Sequence, residues 1–533
     1  MATDNLAIGL WAVSECVLLL AMGCANNADD TSDAAISDDD AAVLPMVAPL
    51  KVTTAVGEVE GFYEDSNRLF LGIPFAKAPV GELRFAPPQP AEPWEGTLSA
   101  SDFGPSCPQA SGSLSVSNAQ NEDCLSLNVF TPKMQSAELR PVMVWIYGGA
   151  FVSGGSSQYR EATTLSEVGD LLVVTLNYRL GALGFLAHEA LDAEGVPSGN
   201  AGLRDQQLAL RWVHDNIEAF GGDPSRITLF GESAGGASTC YQMFANGSEE
   251  LAQGFIVESG ACLGSALGAK THADAVALGA TLADDLCAGE ADVAACLRGL
   301  DASALVNWNA DASIFGAGWG ANVDGAEGLL TDSTDVLAAQ GKFNKAPLLL
   351  GTNYQEWGLF ELIGSPAPTT IDEFNAAIDA QFADFAAAAK DFYAPASDAE
   401  AGQAFTDAMT DAGFRCPARA LARAADAQGV DVYLYSFEIP PGYHALELDY
   451  VFGREDLSQL LGSTKDAALG DAIQGYWTSF AITSNPNGGD RPSWPRYTTA
   501  DDKHLTLATT IAEGTHLRQD ACDFWMQQVT GSP

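Results

Sequence analysis

Residues 227–236 read ITLFGESAGG: an apolar run, then Ser233 with Gly231 and Gly235 two residues away on either side. Glycine loses more backbone entropy on folding than any other residue and is kept out of element interiors unless geometry demands it. A strand that turns sharply into a helix makes that demand. The serine at the apex takes a strained conformation, its neighbours are crowded, and its hydroxyl projects at the helix N-terminus as a nucleophile. At neutral pH such a hydroxyl needs a base to take its proton. The chain has six histidines, at 188, 214, 272, 444, 504 and 516. On a sheet of this kind the chain order is serine, acid, histidine, which leaves His444, His504 and His516. His504 stands in the alternating run KHLTLA and His516 follows it in EGTHLRQD. His444 sits in IPPGYHALELDYVFG, a Pro/Gly loop just past an apolar run, where side chains reach the ligand-binding edge of a parallel sheet. His444 is therefore the expected base.

The acid should follow another strand. LLLGTNYQEWGLF puts Glu356 five residues past the end of an apolar run. There it would accept from the imidazole, fix its tautomer and stabilise the imidazolium. An oxyanion site is expected in VWIYGGAFVSGG, residues 144–155, where a strand ends in two glycines. Gly149, Ala150 and the N–H of Ala234 are the expected donors. A glycine-rich loop can also cradle phosphate, but this one carries no lysine and no Gly-Lys-Ser/Thr. No metal-ligand cluster stands out, so neither a metal nor an organic cofactor is expected.

These residues need a rigid frame. PVMVWIY (141–147), LLVVTLNY (171–178), ITLF (227–230), FIVES (255–259), APLLLG (346–351) and VDVYLYSF (430–437) are apolar runs suited to strands covered on both faces. Helical patterns lie between several of them, such as GLRDQQLALRWVHDNIEAF at 202–220. Strands alternating with helices predict an α/β fold with a large, mostly parallel sheet flanked by helices. KVTTAVGEVEGFYE reads as a hairpin, and the Ala- and Asp-rich stretch 370–430 as a helical insertion. The frame runs from about residue 48 to 533 without an internal linker or repeat.

Charge narrows the partners. Lys and Arg number 25 against 70 Asp and Glu, a formal net charge of −45. Such a field repels phosphate backbones and anionic lipid headgroups, so no nucleic acid and no charge-driven membrane binding are expected. The opening MATDNLAIGLWAVSECVLLLAMGC reads as an export leader over 1–24, although it lacks basic residues at its start and carries Glu15 in its core. Residues 25–47 are an acidic tether too poor in apolar residues to fold. The Gly-Cys junction makes Cys24 a lipidation candidate, which would place the protein in a bacterial cell envelope; ordinary secretion is the other reading. Beyond the leader eight cysteines remain, an even number that in an exported chain suggests disulfides.

Taken together, FLGIPFAKAPVGELRF, NEDCLSLNVFTP, WIYGGAF, TLNYRLGALGFL, the long block from GNAGLRDQQ to GESAGG, GTNYQEWGLF and HALELDYVFG resemble the type-B carboxylesterase/cholinesterase-like branch of the α/β-hydrolase fold, in family order. The resemblance covers nearly all of residues 50–530. It implies a triad of Ser233, Glu356 and His444, with Gly149, Ala150 and Ala234 as oxyanion donors. It also implies disulfides Cys107–Cys124, Cys287–Cys296 and Cys416–Cys522. Cys240 and Cys262 are left over, and a fourth bond between them is a candidate. One departure bears on substrate: the loop PQASGSLSVSNAQNED has no aromatic residue, where cholinesterases carry a tryptophan facing the cationic substrate. The expectation is a serine carboxylesterase acting on small to medium esters through an acyl-serine. Two alternatives stand beside it: a lipase with an apolar lid, and a non-catalytic adhesion module. Loops near 150–160, 300–330 and 357–370 should shape the pocket.

Overall fold

The computed structural model describes residues 46–111, 116, 118–264, 268–308 and 318–530. The leader 1–24 with Cys24, the tether as far as residue 45, and part of the 300–330 segment lie outside them. Residues Met46 and Val47, at the end of the expected tether, already pair with Met134–Gln135: Val47 bridges Met134, and Gln135 N–H donates to Met46 O at 2.9 Å.

An eleven-stranded sheet carries the molecule. Its strands are β1 Phe62–Glu64, β2 Asn67–Pro74, β3 Ser126–Pro132, β4 Arg140–Ile146, β5 Leu172–Leu176 and β6 Gly222–Glu232. They continue with β7 Gly254–Glu258, β8 Leu348–Asn353, β9 Val432–Phe437, β10 Lys503–Leu507 and β11 Ala512–Thr515. In space the order is β11-β10-β9-β8-β7-β6-β4-β5-β3-β2-β1. Every pairing from β5 across to β10 is parallel, and both margins are antiparallel. Every residue of β4, β5, β7, β8 and β9 is buried. That is why these strands read as unbroken apolar runs: helices cover both faces and leave no polar alternation.

From β4 the chain moves to one side, to β5, and then returns past β4 to β6 on the other side. A crevice opens at the carboxyl ends of two strands where the winding reverses in this way. The glycine turn after β4 and the serine after β6 both stand at that crevice. Topology therefore joins two segments that lie about eighty residues apart in sequence.

The hairpin expected at 51–64 divides between two sheets. Lys51–Thr54 and Gly57–Glu60 pair antiparallel in a small three-stranded sheet with Thr97–Ser99. Phe62–Glu64 crosses over to edge the large sheet as β1. The helix expected at 202–220 is α1, Ala201–Asn216, tightening into a 3₁₀ turn over Ile217–Phe220 and stopping at Gly221 with φ 96°. Its buried Asp205 holds Arg179 through two side-chain bonds of 2.8 and 2.7 Å. Ala234–Phe244 follows β6 as α2.

The stretch 370–430 is helical as expected: Ile371–Phe382, Ala386–Phe392 and Ala401–Thr410, a π-turn at Asp411–Arg415, then α3 at Cys416–Ala427. Its apolar faces form a second cluster with Trp357, Phe360 and Trp525. Helices α4, Ala467–Thr483, and α5, Gln519–Thr530, complete this half. Four disulfides are present: Cys107–Cys124, Cys240–Cys262, Cys287–Cys296 and Cys416–Cys522. The bond left as a candidate in the sequence, Cys240–Cys262, ties α2 to the segment after β7.

Candidate active site

Strand β6 ends at Glu232, α2 begins at Ala234, and Ser233 between them takes φ 57° and ψ −125°. A non-glycine residue in that region is strained and is held there only by its surroundings. The surroundings are backbone. A Cβ on Gly231 would lie 2.4 Å from Gly235 O, and one on Gly235 would lie 2.0 Å from Ile146 O. Gly260, after β7, is as tight: a Cβ there would come within 2.1 Å of Ser233 O. The glycines flanking the serine are thus required by the passage of α2 against the ends of β4 and β6. Ser233 N–H is held by Glu258 O at 2.9 Å.

The turn after β4 packs onto this elbow. A Cβ on Gly148 would meet Glu232 O at 2.8 Å and Ser233 Cβ at 2.9 Å. Gly149, Ala150 and Phe151 follow with φ of 112°, 53° and 63°. Successive N–H groups in such a tight turn can form an anion-binding concavity. The Ala234 N–H lies at the N-terminus of α2, and the turn that carries Gly149 and Ala150 packs on the elbow through Gly148.

Acid and base come from the other side. Strand β8 runs on to Asn353, so Glu356 stands three residues past its end, closer than the five expected. The apolar run stops at Gly351 because Thr352 and Asn353 are polar, yet both are buried in the sheet. Glu356 Oε1 accepts from Asn353 N–H at 2.7 Å and Oε2 accepts from His444 Nδ1 at 2.6 Å. His444 lies between two aromatic rings, Phe360 at 5.1 Å and Phe414 at 4.9 Å between centroids. Its Nε2 faces Glu232 Oε1 at 3.1 Å. The other two candidate histidines belong elsewhere. His504 is buried in β10, where desolvation lowers its pKa to about 4, and His516 is exposed beside Asp502.

Three further glutamates, which the expected site does not include, stand here. Glu232, Glu258 and Glu447 are buried beside Glu356. Burial pushes Glu258 up to about 8, against the pull of a 3.0 Å bond from the Trp477 indole N–H. Burial first, then the charges of Glu356 and Glu258, raises Glu232 well above the ordinary carboxylate range; Arg454 acts the other way. Glu447 is raised by burial and by its glutamate neighbours. A signal for two of them was legible: Glu232 and Glu258 each end a strand and precede a serine, and β6 and β7 pair them in register. Phe360 and Phe414 gave no local signal, because only folding of the 358–363 helix and the π-turn brings them to the imidazole.

The whole arrangement is a strained serine at a helix N-terminus, a concave set of N–H groups, and a buried carboxylate–imidazole pair. Such a site is equipped for acyl transfer. Comparison with known proteins agrees. Residues 48–525 match the Carboxylesterase family. The chain is 35% identical to the para-nitrobenzyl esterase of Bacillus subtilis (strain 168), over 86% of this chain and 95% of that protein. It is 32% identical to carboxylesterase 1D of Rattus norvegicus, over 90% and 93%. To carboxylesterase 1C of Mus musculus it is 30% identical, over 92% and 96%.

Proposed function

The chain belongs to the carboxylesterase family and is a carboxylic ester hydrolase, and from that premise we propose that Ser233, His444 and Glu356 are its catalytic triad and that the reaction runs through an acyl-serine. The observation that carries this reading is the buried 2.6 Å contact between His444 Nδ1 and Glu356 Oε2, at the crevice where the strained Ser233 stands.

The Ser233 hydroxyl passes its proton to His444 Nε2 as Oγ adds to the ester carbonyl. The carbonyl oxygen becomes an oxyanion and takes hydrogen bonds from the N–H groups of Gly149, Ala150 and Ala234. Glu356 holds the imidazole in the tautomer with the proton on Nδ1 and stabilises the imidazolium that forms. The C–O bond breaks, Nε2 returns its proton to the departing alcohol, and the acyl group stays on Ser233. Water then enters by the same route in reverse and releases the acid. Burial and the neighbouring glutamates raise Glu232 well above the usual carboxylate range and so disfavour its charged form. A charged Glu232 would hold the proton on Nε2 and block its role as base.

The substrates are carboxylic esters of small to medium size, not choline esters. The partners are small molecules and not nucleic acid. The four disulfides are those of an exported protein. We place the mature chain at a bacterial cell surface or outside it, with Cys24 as the point of lipid attachment when the tether is anchored.

The test is turnover of p-nitrophenyl esters from acetate to palmitate by residues 25–533 and by Ser233→Ala. Turnover greatest on the shorter members and abolished in the variant is expected. An optimum at palmitate would overturn the substrate size in favour of a lipase. Activity surviving in Ser233→Ala would overturn the triad.

A further inference from the structure

The two halves of the acid–base pair reach the site on different loops, Glu356 after β8 and His444 after β9. Something must fix one loop against the other, since a Glu–His contact holds its geometry only as well as its two backbones do. Besides the pair itself, a 3.3 Å bond from His444 N–H to Glu356 O links them. Backbone bonds from Tyr354 N–H to Phe437 O at 3.1 Å and from Gln355 N–H to Gly442 O at 2.9 Å tie the loops ahead of the pair, and the links at the pair itself converge on one side chain.

Asn353 is the last residue of β8 and is wholly buried. Its backbone N–H donates to Glu356 Oε1 at 2.7 Å. Its side-chain Nδ2 donates to Tyr443 O at 2.8 Å and to Glu447 Oε2. Tyr443 immediately precedes His444 and Glu447 follows it by three residues, so the amide grips the histidine loop on both sides of the imidazole. Both partners are acceptors, which settles the amide orientation: the flipped form would set Oδ1 against a carbonyl and a carboxylate. Glu447 extends the link toward the nucleophile. Its Oε1 lies 3.4 Å from Ser259 Oγ, Ser259 N–H donates to Gly351 O at 2.9 Å, and the preceding Glu258 O holds Ser233 N–H.

We propose that Asn353 is the positioning residue of the acid–base pair, orienting Glu356 by its backbone and the His444 loop by its side-chain amide. This rests on the triad reading above. The amide's two hydrogens are matched to one neutral and one ionisable acceptor, so Asn353 also favours the charged form of Glu447. The groups facing this corner are Glu356, Glu232, Glu258 and Glu447, with Arg454 as the cation acting on Glu232. Losing the amide raises Glu447 further and lessens whatever negative charge it contributes beside the imidazolium.

The experiment compares Asn353→Ala and Asn353→Ser with the parent in the full chain. The assay is p-nitrophenyl butyrate hydrolysis across pH 5–9, and sites are counted with diethyl p-nitrophenyl phosphate. Per titrated site, kcat should fall about 10–100-fold, the loss typical of a misplaced catalytic group, while KM changes little. The acid limb of the kcat/KM profile, which reports the coupled ionisation of imidazole and carboxylates, should move to lower pH. Adding Glu447→Gln to Asn353→Ala should cost little more, because the two act as one unit. The Ser variant, which retains a small donor, should fall between Ala and the parent. A kcat per site within threefold of the parent, or a loss with the pH profile unmoved and the double variant additive, would overturn the proposal. Ser233→Ala, run alongside, separates the two ideas: its inactivity leaves the triad reading standing whatever Asn353 does, and its activity removes both.

Discussion

Gly235→Ala is the sharpest test of why the nucleophile needs its glycines. The added Cβ would lie 2.0 Å from Ile146 O and 2.8 Å from Ile146 C and Tyr147 C. All three are backbone atoms, so no rotamer change relieves the contact. Helix α2 and the end of β4 must separate by about 1 Å, and overpacking of this kind costs about 1–3 kcal/mol of stability. The same displacement moves the Ala234 N–H, at the start of α2, relative to the turn that follows β4. A shift of about 1 Å at a reacting centre costs about 100-fold in rate. The assay is kcat for p-nitrophenyl butyrate per site titrated with diethyl p-nitrophenyl phosphate, paired with thermal unfolding. Gly299→Ala is the control: that glycine ends the helix Val293–Gly299 and a Cβ there would meet nothing within 4 Å, so neither quantity should fall. Gly235→Ala with kcat within threefold of the parent and an unchanged unfolding temperature would refute the argument that backbone proximity, and not chance, put glycine there.

Glu356→Gln keeps the shape of the acid but cannot stabilise an imidazolium; kcat should drop about 10⁴-fold, and a drop below tenfold would remove Glu356 from the triad. Glu258 has its pKa raised to about 8 in the folded chain, so between its ordinary value and 8 the folded state binds the extra proton and stability falls as pH rises. Glu258→Gln should therefore gain on the parent in unfolding temperature between pH 5 and pH 8, and a gap that stays constant would show that the group does not titrate in this window. Cys416–Cys522 spans 106 residues and Cys287–Cys296 only 9. On loop-closure grounds, replacing the first pair by alanine should cost more, about 2–5 kcal/mol; equal losses in chemical denaturation would contradict that account.

Much of the site was legible because each part of it is local. The serine elbow is written as strand, glycine, serine, glycine within ten residues, since the crowding that demands those glycines comes partly from its own turn. The glycine turn after β4 and the histidine loop were legible for the same reason, as short punctuations after apolar runs. Glu356 stands nearer to its strand end than the sequence predicts, because Thr352 and Asn353 are polar residues buried in a strand and periodicity reads polarity as exposure. Strands β2 and β3 escaped notice as strands. In β3 the buried Asn128 interrupts the apolar pattern, its amide being satisfied by Ser156 and Thr175 and its carbonyl by Gly72 N–H.

What the sequence by itself determined is most of the parallel strands and the candidates for the reacting groups. Apolar runs bounded by glycine and proline define a doubly wound sheet, and only one serine, one histidine loop and one glutamate loop fit the chemistry. What only the tertiary structure decided is how the groups around the triad meet. Glu232, Glu258, Glu356 and Glu447 are brought into one buried corner by strands that are neighbours in space and distant in sequence. Whether a glutamate is charged depends on burial and on its neighbours' charges. Neither quantity is a property of the residue or of its local pattern. The joining of Asn353 to both sides of His444 is of the same kind: ninety residues of chain must fold back before one amide can hold both loops.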